Sequence, residues 1–274
     1  MRAYAVLAYL FLYAPIALIV LFSFSAGRSA SELRGFSLQW YGTALGNPFV
    51  LDALRTSLVV AFSSAVLATL FGTMAALAMD RLRGWLRSAF EALVYIAIMV
   101  PGIVIGIATL IALVSLFDVL NPLLAAVWPG GPETAPKLAL GLGSLIAAHS
   151  LFTMALVVLI VRARLAGMDR SLVEASMDLY ASPWATFLQV TLPQLVPAIL
   201  AGFLLAFTFS FDDFVVAFFV AGPNSTLPIY VFASIRRGVT PEINAIGSMV
   251  LGVSLLLMIT AQLLLRRRAT GAAA

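Results

Sequence analysis

The chain has 274 residues, of which 62% are hydrophobic and only 10% charged, with one histidine, no cysteine and a net charge of +4. Soluble domains run near a quarter charged, so this composition, with a mean hydropathy of +1.07, sets most of the chain against lipid or other apolar helices. It excludes disulfides, thiolate chemistry and Cys-ligated metals, and the length suits a single membrane domain over 1–274 with no room for an ATP-binding domain of usual size.

The first apolar run, Tyr4–Phe24, matches the roughly 20 residues that cross a bilayer. Signal-peptide cores are shorter, about 7–15 residues, so a retained first helix is expected, with cleavage after Ala26 the weaker option. Further runs follow at Thr56–Met79, Phe90–Phe117, Leu138–Val161, Val196–Ala221 and Ala245–Leu265. In hydrocarbon each backbone group must bond within its own segment, so all six are expected as transmembrane helices. The fold class is therefore an all-α membrane protein. Pro15, Pro101 and Pro197 fall in or near spans and are tolerated there as kinks or first-turn residues.

With the N-terminus inside, ten positive residues lie on the inner side (Arg2, Arg81, Arg83, Arg87, Arg162, Arg164, Arg170 and Arg266 to Arg268) and six on the outer. The bias predicts both termini in the cytoplasm. A basic balance made of Arg in short loops reports topology, and no RNA-binding signature accompanies it. The outer segments Ser25–Arg55, Asp118–Lys137 and Gly222–Asn244 are long enough to form a surface for a partner.

The longest inner segment, about 162–193, has an unusual pattern. Ser171-Leu-Val-Glu174 reads as a capping box. Leu172, Val173, Ser176, Leu179 and Tyr180 then share one helical face, with Arg170, Glu174 and Asp178 on another. Ser182-Pro183 reads as a second N-cap and first helical residue, and that helix is expected to end by Pro193. Two short amphipathic helices result, lying on the lipid headgroups or docking a partner. The fifth run carries Phe209-Ser210-Phe211-Asp212-Asp213-Phe214. Each carboxylate costs roughly 2.5–3.5 kcal/mol at mid-bilayer, so the two are expected to face a cavity, a water path or a charged partner, or to cap a broken helix. Gly202, Ala206 and Ser210 form a small-residue stripe suited to close packing.

Glu174-Ala175-Ser176, Tyr180 and Val190-Thr191-Leu192-Pro193 resemble the EAA loop of binding-protein-dependent ABC importer permeases, at matching spacing throughout. Two positions depart from the pattern: Ser176 stands for the second Ala, and Tyr180 for a Gly that permits a tight turn. Asp212 and Asp213, with Gly222-Pro223, Thr226-Leu227-Pro228 and the run Gly238 to Ala245, are similar to the spermidine/putrescine permease branch. The resemblance implies a type I ABC importer (MetI-like) permease fold in the bacterial inner membrane. It implies that Glu174, Ala175, Ser176, Asp178, Tyr180, Leu192 and Pro193 belong to an ATPase-coupling loop and that Asp212 and Asp213 line the solute pathway. The implied partners are a second permease chain, an ATPase dimer that binds ATP and Mg, and an extracytoplasmic solute-binding protein. The implied cargo is a polyamine or related small cation, with iron or another small solute as the alternative.

This chain carries no Gly-x4-Gly-Lys-Ser/Thr, so no ATP cradle of its own. Catalysis in the membrane is not expected. Asp212 and Asp213 are adjacent on one helix, whereas an aspartyl protease needs carboxylates from two. His149 has Ser144 and Ser150 nearby without a nucleophile turn, and reads as a packing residue. Metal ligands are lacking. A secondary transporter is the other class considered, but it has no use for a docking loop and commonly shows internal repeats, which are absent here.

Overall fold

The computed structural model describes residues 2–28 and 33–271, with side chains described over 4–28 and 33–256. Among the described residues the regular structure is helical apart from one isolated antiparallel bridge, Ser25 to Phe36. The helices are α1 (Arg2–Ser23), α2 (Gln39–Gly46), α3 (Pro48–Arg81), α4 (Gly84–Met99), α5 (Gly102–Val127), α6 (Leu142–Ala166), α7 (Ser171–Asp178), α8 (Pro183–Thr186), α9 (Leu192–Asp212), α10 (Val215–Val220), α11 (Leu227–Arg237) and α12 (Pro241–Gly271). Among the described residues, five segments are long and apolar enough to span a bilayer: Tyr4–Ser23, Pro48–Arg81, Gly102–Val127, Leu142–Ala166 and Pro183–Asp212. The sixth expected span falls on α12, whose apolar stretch is described from Pro241 to Leu256. Its continuation to Leu265 and the side chains of Arg2 and Arg266 to Arg268 lie outside the described side chains.

The chain divides into two compact units, residues 1–52 with 230–274, and residues 53–229. In the first, α1 and α2 both pack against α12. Asn47 caps α3, its Oδ1 accepting the Phe49 amide at 3.0 Å with Pro48 as first helical residue. The Asn47 amide donates to Glu242 Oε1 at 2.9 Å and to the Tyr230 hydroxyl at 3.2 Å, which ties the start of α3 to the start of α12.

The second unit is built on α6, which packs along α9 and also meets α4 and α10. Small residues allow the close approach. A Cβ on Gly202 of α9 would come within 3.3 Å of Val157 on α6, and one on Gly72 of α3 within 2.9 Å of the same side chain. The expected stripe Gly202, Ala206 and Ser210 is buried along its length. Glu91 of α4 takes Arg87 at 2.9 Å and Arg162 of α6 at 2.5 Å, so a carboxylate is paired where α4 and α6 meet.

Two expected spans are broken. The run Phe90–Phe117 divides into α4 and α5 at Val100-Pro101, both extended at ψ 132° and 137°. The proline ring forces its predecessor out of the helical region and supplies no N–H to continue the ladder. α5 then runs on to Val127, so half of the expected outer segment Asp118–Lys137 is helical. The run Val196–Ala221 breaks at Asp213, which is extended (φ −71°, ψ 122°) between α9 and α10. Pro193, expected to end a helix, does not. Residues Phe187–Thr191 form a π-helical turn in which the Leu192 amide reaches back five residues to the Phe187 carbonyl. The wider turn absorbs the amide that Pro193 lacks, and α8 passes into α9 as one helical segment of 30 residues.

Candidate functional site

α7 and α8 form a helical hairpin held at three points. The first is the start of α7, where the expected capping box is absent. Ser171 is the first helical residue, its amide donates to Asp169 Oδ1 at 2.9 Å, and the Glu174 amide goes to the Arg170 carbonyl at 3.0 Å. Asp169 thus takes the Ser171 amide that the Glu174 carboxylate would have accepted, and the Arg170 carbonyl takes the Glu174 amide in place of the Ser171 hydroxyl. The bonds from Ser171 hold the Asp169 carboxyl below the usual carboxylate range.

The second point is the turn. Leu179 ends α7, the Tyr180 amide donates to the Met177 carbonyl at 2.9 Å and the Ala181 amide to the Ser176 carbonyl at 3.1 Å. This is the Schellman pair of bonds, which requires a left-handed residue at the corner. Tyr180 supplies it with φ +57°, the single positive-φ residue other than glycine among the described residues. The backbone turn a glycine would make is thus kept, and the tyrosine ring is left 97% exposed.

The third point is a cross-link. Ser176 Oγ lies 2.9 Å from Thr186 Oγ1 of α8, and Thr186 is buried. The hydroxyl that replaces the expected Ala therefore pins the two helices together. Ser182 caps α8 as expected, accepting the Ala185 amide. Glu174, Ala175, Asp178 and Pro193 are exposed, while Ser176 and Leu192 are half-buried. Glu174 lines a cavity of about 410 Å³ between the C-terminal ends of α3 and α6 and the hairpin, together with Asp80, Arg81, Asp169 and Arg170. The outward tip presents Leu179, Tyr180 and Trp184, an apolar surface 82%, 97% and 67% exposed that no described residue covers.

The acidic pair is divided by the helix break. Asp212 is the last residue of α9 and exposed. Asp213 turns inward, and its Oδ2 accepts the Ala217 amide at 2.9 Å, capping the first turn of α10. His149, fully buried on α6, places Nε2 at 3.6 Å from the same oxygen. Its Nδ1 is 2.7 Å from Ser210 Oγ, which is 2.8 Å from Ser64 Oγ on α3. Ser64 in turn donates to the Val60 carbonyl at 2.6 Å. The sequence alone shows His149 as a lone packing residue, whereas the fold makes it the centre of a polar chain joining α3, α6 and α9 to α10. The signal available was a serine in mid-span at both 64 and 210. Ser210, His149 and Asp213 are the residue types of a nucleophilic relay, but the serine is 3% exposed and offers no surface to a substrate.

A bundle of long apolar helices with one irregular break lined by carboxylates and one exposed helical hairpin is the architecture of a membrane transport component. Residues 68–270 match the family described as binding-protein-dependent transport system inner membrane component. The putrescine transport system permease protein PotI of Escherichia coli (strain K12) is 37% identical over 250 residues, covering 90% of this chain and 83% of that one. The spermidine/putrescine transport system permease protein PotC of the same strain is 34% identical over 264 residues, covering 96% and 92%. PotC of Haemophilus influenzae is 34% identical over 267 residues, covering 97% and 96%. Among solved structures, a bacterial ABC transporter involved in import of the acidic polysaccharide alginate superposes with a TM-score of 0.71 at 15% identity, covering 96% of this chain and 92% of that one. The chain belongs to the family of inner-membrane components of binding-protein-dependent transport systems, and is a permease subunit of an ABC importer with the type I fold.

Proposed function

We propose that this permease passes a polyamine, putrescine or spermidine, and takes its driving force from an ATPase seated on the α7–α8 hairpin. The cargo reading rests on the identity, over most of the chain, to permeases named for those two solutes. The exposed carboxylate of Asp212 agrees with it, since a cation is drawn to an acidic side chain that it can reach. The hairpin reading rests on the uncovered tip of Leu179, Tyr180 and Trp184 above a cross-linked base. ATP and Mg bind in the ATPase dimer and the hydrolytic chemistry is carried out there. This chain is non-catalytic, pairs with a second permease subunit, keeps both termini in the cytoplasm and receives cargo from an extracytoplasmic binding protein.

The mechanism follows from the continuous helical segment Pro183–Asp212, in which α8 passes through the π turn into α9. Motion of the docked hairpin is delivered along a rod of about 45 Å whose far end is Asp212 at the helix break. Closure of the ATPase dimer therefore moves the break, and alternating access of the cation to its two sides results. The test is uptake of labelled putrescine and spermidine at micromolar concentration in cells with and without the gene, with ATP present or depleted. Gene- and ATP-dependent uptake is expected, and Asp212→Asn should raise KM several-fold while basal ATPase activity stays intact. Gene-dependent uptake of neither solute would overturn the cargo reading.

A further inference from the structure

The polar chain through His149 balances hydrogen by hydrogen. The Val60 carbonyl has no hydrogen to give, so its 2.6 Å contact uses the Ser64 hydroxyl hydrogen. Ser64 Oγ is then the acceptor in its 2.8 Å contact with Ser210, which spends the Ser210 hydrogen. Ser210 Oγ is in turn the acceptor at 2.7 Å from His149 Nδ1, so Nδ1 carries a hydrogen. In a neutral imidazole Nε2 would then present a bare lone pair to Asp213 Oδ2, 3.6 Å away, and Nε2 has no other partner within hydrogen-bond reach. Two acceptors facing each other in a water-poor interior repel.

We infer that His149 Nε2 and Asp213 Oδ2 hold one proton between them, beyond the count of a neutral imidazole and a carboxylate. That proton turns a repulsive 3.6 Å contact into an attractive charge-assisted one and leaves the other lone pairs of Asp213 for the Ala217 amide in the first turn of α10. No other ionisable group of the packed helices offers a competing charge. On α3 the nearest in sequence to Ser64 is Arg55, nine residues away. On α6 it is Arg162, which is paired with Glu91 of α4. On α5, which meets α10 where Gly106 faces Phe219, it is Asp118, more than three turns further on. Asp212 alone adjoins the pair, and it is exposed.

His149 is thereby a positioning residue. It holds Asp213 as the cap of the broken helix and cancels its charge, so that Asp212 is left as the acid that meets a cation. The last clause rests on the polyamine reading, and the proton itself does not.

The test uses the assembled importer in lipid at pH 7 with nitrogen-15 histidine. The spectrum of a His149→Gln complex is subtracted, so that signals of the partner subunits cancel and His149, the one histidine of this chain, remains. Infrared spectra of the same samples report the Asp213 carboxyl. The expected result is Nδ1 protonated together with either a protonated Nε2 or a protonated Asp213 carboxyl. A neutral imidazole beside an ionised carboxylate, in either tautomer, would overturn the inference. Ser64→Ala gives the second arm. With Ser64 gone, the Ser210 hydrogen is free to turn to Nδ1, Nε2–H then serves Asp213, and the extra proton should be lost. An extra proton that persists in Ser64→Ala would overturn the chain of donors on which the inference stands.

Discussion

Replacing Tyr180 with glycine separates the strain of the α7–α8 turn from its surface. The tyrosine sits at φ +57° and is 97% exposed, so its ring gains no packing against the described residues to offset the unfavourable backbone. A non-glycine residue in that region costs roughly 1–2 kcal/mol, and glycine returns about 0.5–1 kcal/mol through its greater freedom in the open state. The net gain for Tyr180→Gly is therefore about 0.5–1 kcal/mol, or roughly 2- to 5-fold slower local opening. Hydrogen exchange of the Tyr180 and Ala181 amides, both bonded across the turn, reads this directly in the purified complex. Tyr180→Ala is the control, because it removes the ring and keeps the positive φ. Slower exchange in the glycine variant and not in the alanine variant is expected, with weaker ATPase retention in both if the ring contacts the ATPase. Equal protection in the two variants would refute the assignment of strain to Tyr180.

Three further outcomes are expected. Ser176→Ala should leave the buried Thr186 hydroxyl without its partner at a cost of about 1–3 kcal/mol, loosening α7 from α8 and lowering transport per ATP hydrolysed. Adding Thr186→Val should recover most of that loss, measured as the ratio of uptake to phosphate release in proteoliposomes. Gly72→Ala would place a Cβ 2.9 Å from Val157 and 3.1 Å from the Met154 carbonyl, and overpacking of this kind costs typically 1–3 kcal/mol. A lower unfolding midpoint of the detergent-solubilised complex is expected. Asp169 has a depressed folded-state pKa, so its contribution to the start of α7 is present above the ordinary carboxylate pKa of about 3.9 and is lost as pH falls through the lower folded value. Exchange of the Ser171 amide should thus be independent of pH near neutrality, after correction for intrinsic rates, and should be faster in Asp169→Asn there, the difference closing as pH falls through the folded value.

The hydrophobic runs made the bundle legible, because spanning a bilayer imposes a length and an apolarity that single residues cannot hide. The buried stripe Gly202, Ala206 and Ser210 was legible for a similar reason, since helical period alone fixes which residues share a face. The Ser182 cap was local, and local chemistry decided it. What escaped depended on competition or on distance. The capping box at Ser171 lost to a carboxylate two residues upstream, a contest between acceptors that a motif does not weigh. The role of His149 depends on Ser210, 61 residues away, and through it on Ser64, 146 residues from Ser210. No spacing rule joins such positions before the chain is folded.

Pro193 carries the mechanical consequence. A proline after a short amphipathic helix ordinarily means that the helix stops, and a hairpin ending there would transmit force only through whatever it touched. The five-residue π turn at Phe187–Thr191 removes that interruption by shifting the bonding register just before the proline, so that the ring meets a wider turn. The segment from Pro183 to Asp212 then has one end at the uncovered hairpin and the other at the carboxylate pair. The helical segment is bounded by two non-helical corners, Tyr180 before it and Asp213 after it. On the proposed reading, a displacement at the hairpin is carried along this segment to the helix break at Asp213.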